Sequence, residues 1–359
     1  MKARTFLRMI RRSVGNFAAI SRGRFLKRTY VPEPRSAISI ETSQRCNLAC
    51  RFCAYPKRGP GKFMTLATFQ EAVQQALHYG SHEFWLTPML GEIFADQKWS
   101  EKFRYLENEL GVQKFGFFTN FILPSPGQIL HLCDYKKLSS LHISIYGHDL
   151  NSFVAITRRP KAQYDRLINN LEALGDIISS NKFSCDIHFS MRTLGGISAA
   201  TIPNTPLVVL LKKLKDMGNV TFIVSTDFDN WGGTVTEEDT KEIATGLIDG
   251  RGIYMFGACH LLFSTPQISA NGDVRACACR DVDGSLTIGN IYSEPLREIH
   301  SWSNPVFRRI VDEQQSGQYG KNCRSCSMYR SVYDHRPAHN TPRWPIVSLV
   351  EAKKVLQQK

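Results

Sequence analysis

Arg45-Cys46-Asn47-Leu48-Ala49-Cys50-Arg51-Phe52-Cys53 is the stretch from which the rest of this 359-residue chain can be read. It places three thiols in one short loop at the spacing C-x3-C-x2-C. A closed [4Fe-4S] electron-transfer centre takes four Cys thiolates. Three in a compact loop therefore hold three corners of such a cluster and leave one iron open, as catalytic metal sites keep one position free for substrate or water. Zinc is the competing reading. Its structural ligands usually come as a C-x2-4-C pair with a second pair far downstream, and this trio has no partner nearby. Ala37 to Ile40 reads as a short apolar strand entering the loop, and Leu66 to Tyr79 as a helix leaving it.

Working outward, short apolar runs alternate with helical patterns as far as Thr226. The strands are expected at Ala37–Glu41, Glu83–Leu86, Lys114–Thr119, Ser140–Ile145, Ser184–Met191 and Val220–Ser225. Between them, helices are expected at Leu66–Tyr79, Ser100–Leu110, Ser125–Leu132, Tyr164–Leu174 and Pro206–Met217. Repeated strand-helix units predict an α/β fold with a parallel sheet and right-handed crossovers. Chemistry in such sheets gathers at the carboxyl ends of the strands, so residues just past each strand carry the most weight.

A second set of thiols lies near the C-terminus. Cys259, Cys277, Cys323 and Cys326 can close a cluster completely; the competing reading is a four-cysteine zinc knuckle, which uses the same spacing logic. Cys279 lies two residues beyond Cys277 on the same strand face, so the two compete for one position. Gln267–Ala270 and Val274–Cys277 read as a hairpin around Asn271-Gly272-Asp273.

On these two motifs the chain resembles the radical S-adenosylmethionine (radical SAM) superfamily with a C-terminal SPASM or twitch auxiliary domain. The resemblance implies a partial (β/α)6 barrel and a small hairpin-plus-helix domain. It implies a SAM-binding [4Fe-4S] cluster on Cys46, Cys50 and Cys53, whose open iron takes the amino and carboxylate groups of S-adenosylmethionine. It further implies one auxiliary [4Fe-4S] cluster on Cys259, Cys277, Cys323 and Cys326, since the further cysteines of a full SPASM pattern do not follow Cys326. Gly91 and Glu92 resemble the family's GGE motif for the methionine amino group, with Leu90 in place of a glycine. Asn120 ends a TN-F run similar to TNG, and Ser144 resembles the S-x-x-G hydroxyl that reaches the ribose or carboxylate. Arg158 or its neighbour Arg159 matches a downstream arginine for the SAM carboxylate, with Arg158 preferred, and Phe52 is placed beside adenine. His188, Arg192 and Asp227 fall on or past the fifth and sixth strands and are assigned to the substrate side. Cys279 is a packed bystander or a hydrogen-atom donor.

The bulk composition bounds the rest. Hydrophobic residues make up 42% and charged ones 21% of the chain, an ordinary globular balance. No apolar run reaches the roughly 18 residues of a membrane span. Of the net charge of +13, residues 1–35 contribute +9, from ten Lys or Arg against Glu33. The remainder is near balance, which argues against a nucleic-acid footprint. Within that arm Phe6, Ile10, Phe17 and Ile20 can form an apolar helical face. This predicts either peripheral membrane contact through residues 1–30 or an arm packed across one end of the barrel, and the interruption at Gly15-Asn16 favours the latter. Ten cysteines without an export signal point to a reducing, cytoplasmic setting. The expected layout is a basic arm (1–35), core barrel (36–230), linker (231–253), auxiliary domain (254–330) and tail (331–359).

The resemblance implies an oxidoreductase that abstracts hydrogen from a hydroxyl-bearing carbon of a carbohydrate or cyclitol and hands an electron to the auxiliary cluster. A low-potential donor such as flavodoxin or ferredoxin would supply the priming electron. The alternatives are modification or epimerisation of a peptide and, from another class, a zinc protein that binds nucleic acid.

Overall fold

All six expected strands form, and they run parallel to one another. In chain order the elements are α1 (Lys2–Phe25), β1 (Ile38–Ile40), α2 (Leu66–Tyr79), β2 (Glu83–Leu86), α3 (Trp99–Asn108), β3 (Lys114–Thr119), α4 (Pro126–His131) and β4 (Leu138–Tyr146). They continue with α5 (Leu150–Thr157), α6 (Lys161–Ser179), β5 (Asp186–Arg192), α7 (Pro206–Lys215) and β6 (Val220–Ser225). Strand order follows chain order from β1 to β6. This is a computed structural model. It describes residues 2–59, 61–87, 89–180, 183–225, 228–243, 246–248, 250, 253–264, 266–278, 280–336 and 345–358, without the side chains of 2–9.

Local rules account for the elements that were expected. Thr65 caps α2 by accepting from the Thr68 N–H, and Gly80 ends the helix at φ 97°, where a Cβ would be strained. Between these ends Phe69, Ala72, Val73 and Ala76 recur at helical spacing and are buried against the sheet. Phe69 is fully buried, and truncating such a side chain to Ala costs about 3–5 kcal/mol. Alternation along β4 sends Leu141, Ile143 and Ile145 outward into the helix layer, where they are buried. Ser140, His142, Ser144 and Tyr146 then face the inside of the curved sheet.

Three features differ from expectation. Helix α5 was not anticipated, because its eight residues are too few to show a clear period. Helix α1 runs straight through Gly15 and Asn16. Asn16 is buried and its side-chain oxygen accepts from Arg336 Nη2 at 2.5 Å, so tertiary contact overrides poor propensity. The arm does not cross a barrel end but packs on the C-terminal unit. Arg12 donates to the Ser327 carbonyl, Phe17 meets Tyr254 edge-on at 5.0 Å between centroids, and Arg24 lies 3.7 Å from the Phe256 ring centroid.

The C-terminal unit also continues the core sheet. β7 (Gln267–Ile268) pairs parallel with β1, and β8 (Asp273–Arg275) and β9 (Thr287–Asn290) follow antiparallel. Together they give a nine-stranded sheet in the order β9-β8-β7-β1-β2-β3-β4-β5-β6. Gly272 takes φ 86° at the expected hairpin turn. Helix α8 (Pro305–Gln315) then packs Phe307, Ile310 and Val311 inward.

Candidate functional site

The cysteine loop leaves the C-terminal end of β1 and is fixed from three sides. Glu92 N–H donates to the Arg45 carbonyl (2.7 Å), and Arg45 Nε donates to the Gly61 carbonyl (2.8 Å). The last carbonyls of α5, which a helix leaves unpartnered, accept from the loop: Thr157 O from Ala49 N–H (3.2 Å), Ile156 O from Arg51 N–H (2.9 Å) and Ala155 O from Arg51 Nε (2.9 Å). The helix that went unread in the sequence is thus a clamp for the motif that was read. Arg159 adds a bond from Nε to the Asn47 carbonyl (2.6 Å).

The three thiols lie close enough to influence one another's ionisation. Burial pushes Cys46 up to about 12, Cys53 up to about 11 and Cys50 well above its ordinary value. Thiols held protonated in this way become thiolates only when a metal displaces the protons. Backbone N–H groups of Leu48 and Tyr55 point at Cys46 Sγ and Cys53 Sγ, each at 3.4 Å, and Asn120 Nδ2 lies 3.7 Å from Cys46 Sγ. Three converging sulfurs with amide donors behind them and open space in front suit a cluster held at three corners.

That open space is a cavity of about 510 Å³ inside the curved sheet. Phe52, Gly91, Glu92, Asn120, Ser144, His188 and Arg192 all line it together with the three cysteines. Gly91 sits at φ 93°, and a Cβ there would stand 2.0 Å from the Ser43 carbonyl oxygen, so only glycine admits this approach of two loops. Glu92 is buried and accepts from Thr119 Oγ1 (2.6 Å), Asn120 N–H (2.6 Å) and Phe94 N–H (3.2 Å). Burial pushes its carboxyl up to about 7 in spite of these donors. Phe121, which stands where the TNG pattern has glycine, keeps the left-handed backbone (φ 59°). Its N–H bonds Thr119 Oγ1 at 2.8 Å, and its ring is fully buried.

Phe52 packs between Tyr146 and Phe228, 5.2 Å from each ring, and the Arg192 guanidinium lies 5.7 Å from its centroid. His188 stacks on His142 at 4.5 Å and bonds Thr221 Oγ1 through Nδ1 at 2.8 Å. Arg158 is not brought to the cavity: it is exposed at the C-cap of α5 at φ 58°. Its neighbour Arg159 is the one tied to the loop. Asp227 and Cys279 lie outside the described residues.

Sequence reading missed a clasp on the cavity wall. Arg280 holds Asp229 with two bonds, Nε to Oδ1 (3.1 Å) and Nη2 to Oδ2 (2.6 Å), while its guanidinium lies 4.4 Å from the Trp231 ring centroid. Burial pushes the Asp229 carboxyl up, but Arg280 outweighs this and holds it below the usual carboxylate range. The charge of Arg280 reaches both Cys53 and Cys326, so the clasp stands between the two thiol sets. Only its place after Cys277 could have flagged it.

Cys259, Cys277, Cys323 and Cys326 converge in the C-terminal unit. Cys323 feels the charge of the other three, and burial pushes Cys259 up to about 12 and Cys326 up to about 11. Buried Gln314 of α8 ties two of the ligand segments, accepting from Cys259 N–H (2.8 Å) and donating to Cys323 Sγ (3.3 Å). Met328 N–H donates to Cys326 Sγ (3.3 Å). Four thiols, one buried and three half-buried, with such donors suit a fully closed cluster.

Residues 40–195 match the sequence model of the Radical SAM superfamily, and residues 259–327 match that of the SPASM iron-sulfur cluster-binding domain. The chain thus carries a radical SAM domain and a SPASM-type domain, which imply S-adenosylmethionine, the [4Fe-4S] cluster that binds it and auxiliary iron-sulfur chemistry as its cofactors. These matches set aside the zinc reading. No curated protein matches the chain significantly. Among solved structures it is similar to SuiB of Streptococcus suis bound to precursor peptide SuiA (TM-score 0.56, 13% identity, 77% of this chain and 67% of that one). It is also similar to BtrN in complex with AdoMet and 2-DOIA (TM-score 0.52, 14%, 80% and 91%), and to anSMEcpe with bound AdoMet (TM-score 0.51, 14%, 78% and 83%). At these identities the likeness is one of fold. No helix among the described residues is long and apolar enough to cross a membrane.

Proposed function

We propose that the enzyme oxidises a hydroxyl-bearing carbon of a sugar or cyclitol. The carrying observation is one cavity whose wall holds Cys46, Cys50 and Cys53 on one side and the Asp229–Arg280 clasp, adjoining the second thiol set, on another. When bound, S-adenosylmethionine and its cluster supply the 5′-deoxyadenosyl radical that abstracts hydrogen, and the auxiliary cluster accepts an electron.

The residues divide the remaining work. Cys46, Cys50 and Cys53 would hold the first cluster, and Cys259, Cys277, Cys323 and Cys326 the second. Gly91 lets the loops close, while Glu92, Asn120 and Ser144 offer polar groups to the nucleoside and amino-acid parts of the cofactor. Oxidation of a carbinol removes one hydrogen atom from carbon, one proton from oxygen and one electron. His188, His142 and Asp229 line the cavity beside Glu92 and can receive the proton directly or through water. Asp227 is the further candidate from its position after β6. Ser144, Ser190, Thr119 and Asn120 give the lining a hydroxyl and amide character suited to a polyhydroxylated molecule. Arg192 contributes a guanidinium that makes no side-chain hydrogen bond or ion pair among the described residues, leaving its donors to a ligand.

The size of the cavity favours a small molecule over a peptide, although the likeness to peptide-bound SuiB keeps peptide modification as the rival reading. Incubation with a panel of carbon-deuterated sugars, cyclitols and peptides tests the choice. Deuterium in 5′-deoxyadenosine from a carbinol, with a ketone product, is the expected result. Transfer from peptides alone would overturn the reading.

A further inference from the structure

We infer that α1 is an interfacial anchor that lays the enzyme on an anionic lipid bilayer. One face of this 24-residue helix is spent on the protein: Asn16, Ala19, Ile20 and Gly23 are buried against the C-terminal unit. A Cβ on Gly23 would stand 2.2 Å from the Tyr333 carbonyl oxygen, so that contact fixes how the helix is rotated. The opposite face carries Ile10, Val14 and Phe25, which fall within one narrow stripe at 100° per residue, and Phe17 stands at its border, half against Tyr254. All four are exposed, Val14 by 61%, Phe17 by 54% and Phe25 by 87%. Leu26, just past the helix end, is exposed as well.

Cations border the apolar stripe. Arg11 and Arg22 line one edge of it on the same helix, and Lys27 and Arg28 follow its end, all of them exposed. Among the described residues none of these four enters an ion pair or a side-chain hydrogen bond. The segment carries +9 in its first 35 residues, against +4 in the remaining 324. A convex row of apolar side chains bordered by unpaired guanidinium and ammonium groups matches a surface whose acyl boundary takes the former and whose phosphates take the latter. An acidic protein would satisfy the cations but offers no reason for a protruding Phe25.

The arrangement also resolves the two readings of the arm. Packing and membrane contact use opposite faces of one helix, so the first orients the second.

The test is co-sedimentation of the full-length, cluster-loaded enzyme with vesicles of phosphatidylcholine alone or with one quarter phosphatidylglycerol. Binding at least tenfold tighter to the anionic vesicles is expected, with loss in 0.5 M NaCl. The Val14→Glu/Phe25→Glu and Arg11→Glu/Arg22→Glu double variants should each weaken it at least tenfold, while iron content and SAM cleavage stay at wild-type levels and show that the fold is intact. Equal binding to both vesicle types overturns the inference, as does undiminished binding of the variants. A change in oligomeric state on substitution, without vesicle binding by the parent, assigns the face to self-association instead.

Discussion

The two thiol sets hold sulfur in opposite ways. Cys46, Cys50 and Cys53 come from one loop, open toward a cavity, and are positioned by α5 and by the glycine approach at Gly91. Cys259, Cys277, Cys323 and Cys326 come from separated segments, two of which Gln314 ties together. On the proposed function, the first arrangement keeps a coordination position for a reactant, and the second closes around its centre with Arg280 as its link to the cavity. The site that reacts would then be built locally with a gap, and the one that accepts an electron from distant pieces without one.

The largest test of this contrast replaces one cysteine in each set. Cys50→Ala should abolish SAM cleavage, whereas Cys323→Ala should still release 5′-deoxyadenosine but form no oxidised product. Each should fall from about eight to about four iron atoms per chain. If Cys323→Ala also ends cleavage with four irons retained, the division of labour fails.

Gly91→Ala should come next. Its left-handed backbone adds about 1–3 kcal/mol of strain, and the methyl meets the Ser43 carbonyl. Binding of S-adenosylmethionine should weaken at least tenfold while the second cluster remains, read by iron analysis and equilibrium dialysis. Arg280→Gln strands a largely buried Asp229 and should lower stability by about 2 kcal/mol. Pairing it with Asp229→Asn should recover part of that loss in a denaturation cycle. Additive losses would mean that the clasp is not a unit.

The smallest effect appears only on acidification. His300 joins the two regions, its Nδ1 2.6 Å from Tyr79 Oη of α2 and its Nε2 2.9 Å from the Leu262 carbonyl. Burial lowers its pKa from 6.5 to about 4, so the unfolded chain binds a proton that the folded chain refuses. The contribution is therefore full above pH 6.5 and is lost as pH falls toward 4. His300→Gln should flatten thermal stability across that window, and an unchanged slope would count against the latch.

The sequence was informative wherever the cause is local. Strands β1 to β6, the ends of α2 at Thr65 and Gly80, and the C-x3-C-x2-C loop each follow from neighbours within a few residues. Asn120 and Ser144, placed by their likeness to family motifs at strand ends, line the cavity. What escaped reading depends on distant contacts. Helix α5 shows its role only once its carbonyls meet the cysteine loop, and Asn16 sits in a helix because Arg336 waits 320 positions away. Arg158 and Arg159 are adjacent in the chain, and the left-handed C-cap of α5 decides which of them turns toward the loop. Asp229, Arg280 and Gln314 carry no motif at all.

The pairing of Gln267 with Ser39 has a consequence for biogenesis. The strand that launches the reactive loop gains its second hydrogen-bonded neighbour only after more than two hundred further residues have left the ribosome. Contacts of such separation form late, so iron delivered to a nascent chain would meet an unfinished cradle. Loading of the metallocofactor into the finished cradle therefore follows synthesis of residues 267 and 268, and a fragment ending before residue 267 would present a bare, adhesive strand edge.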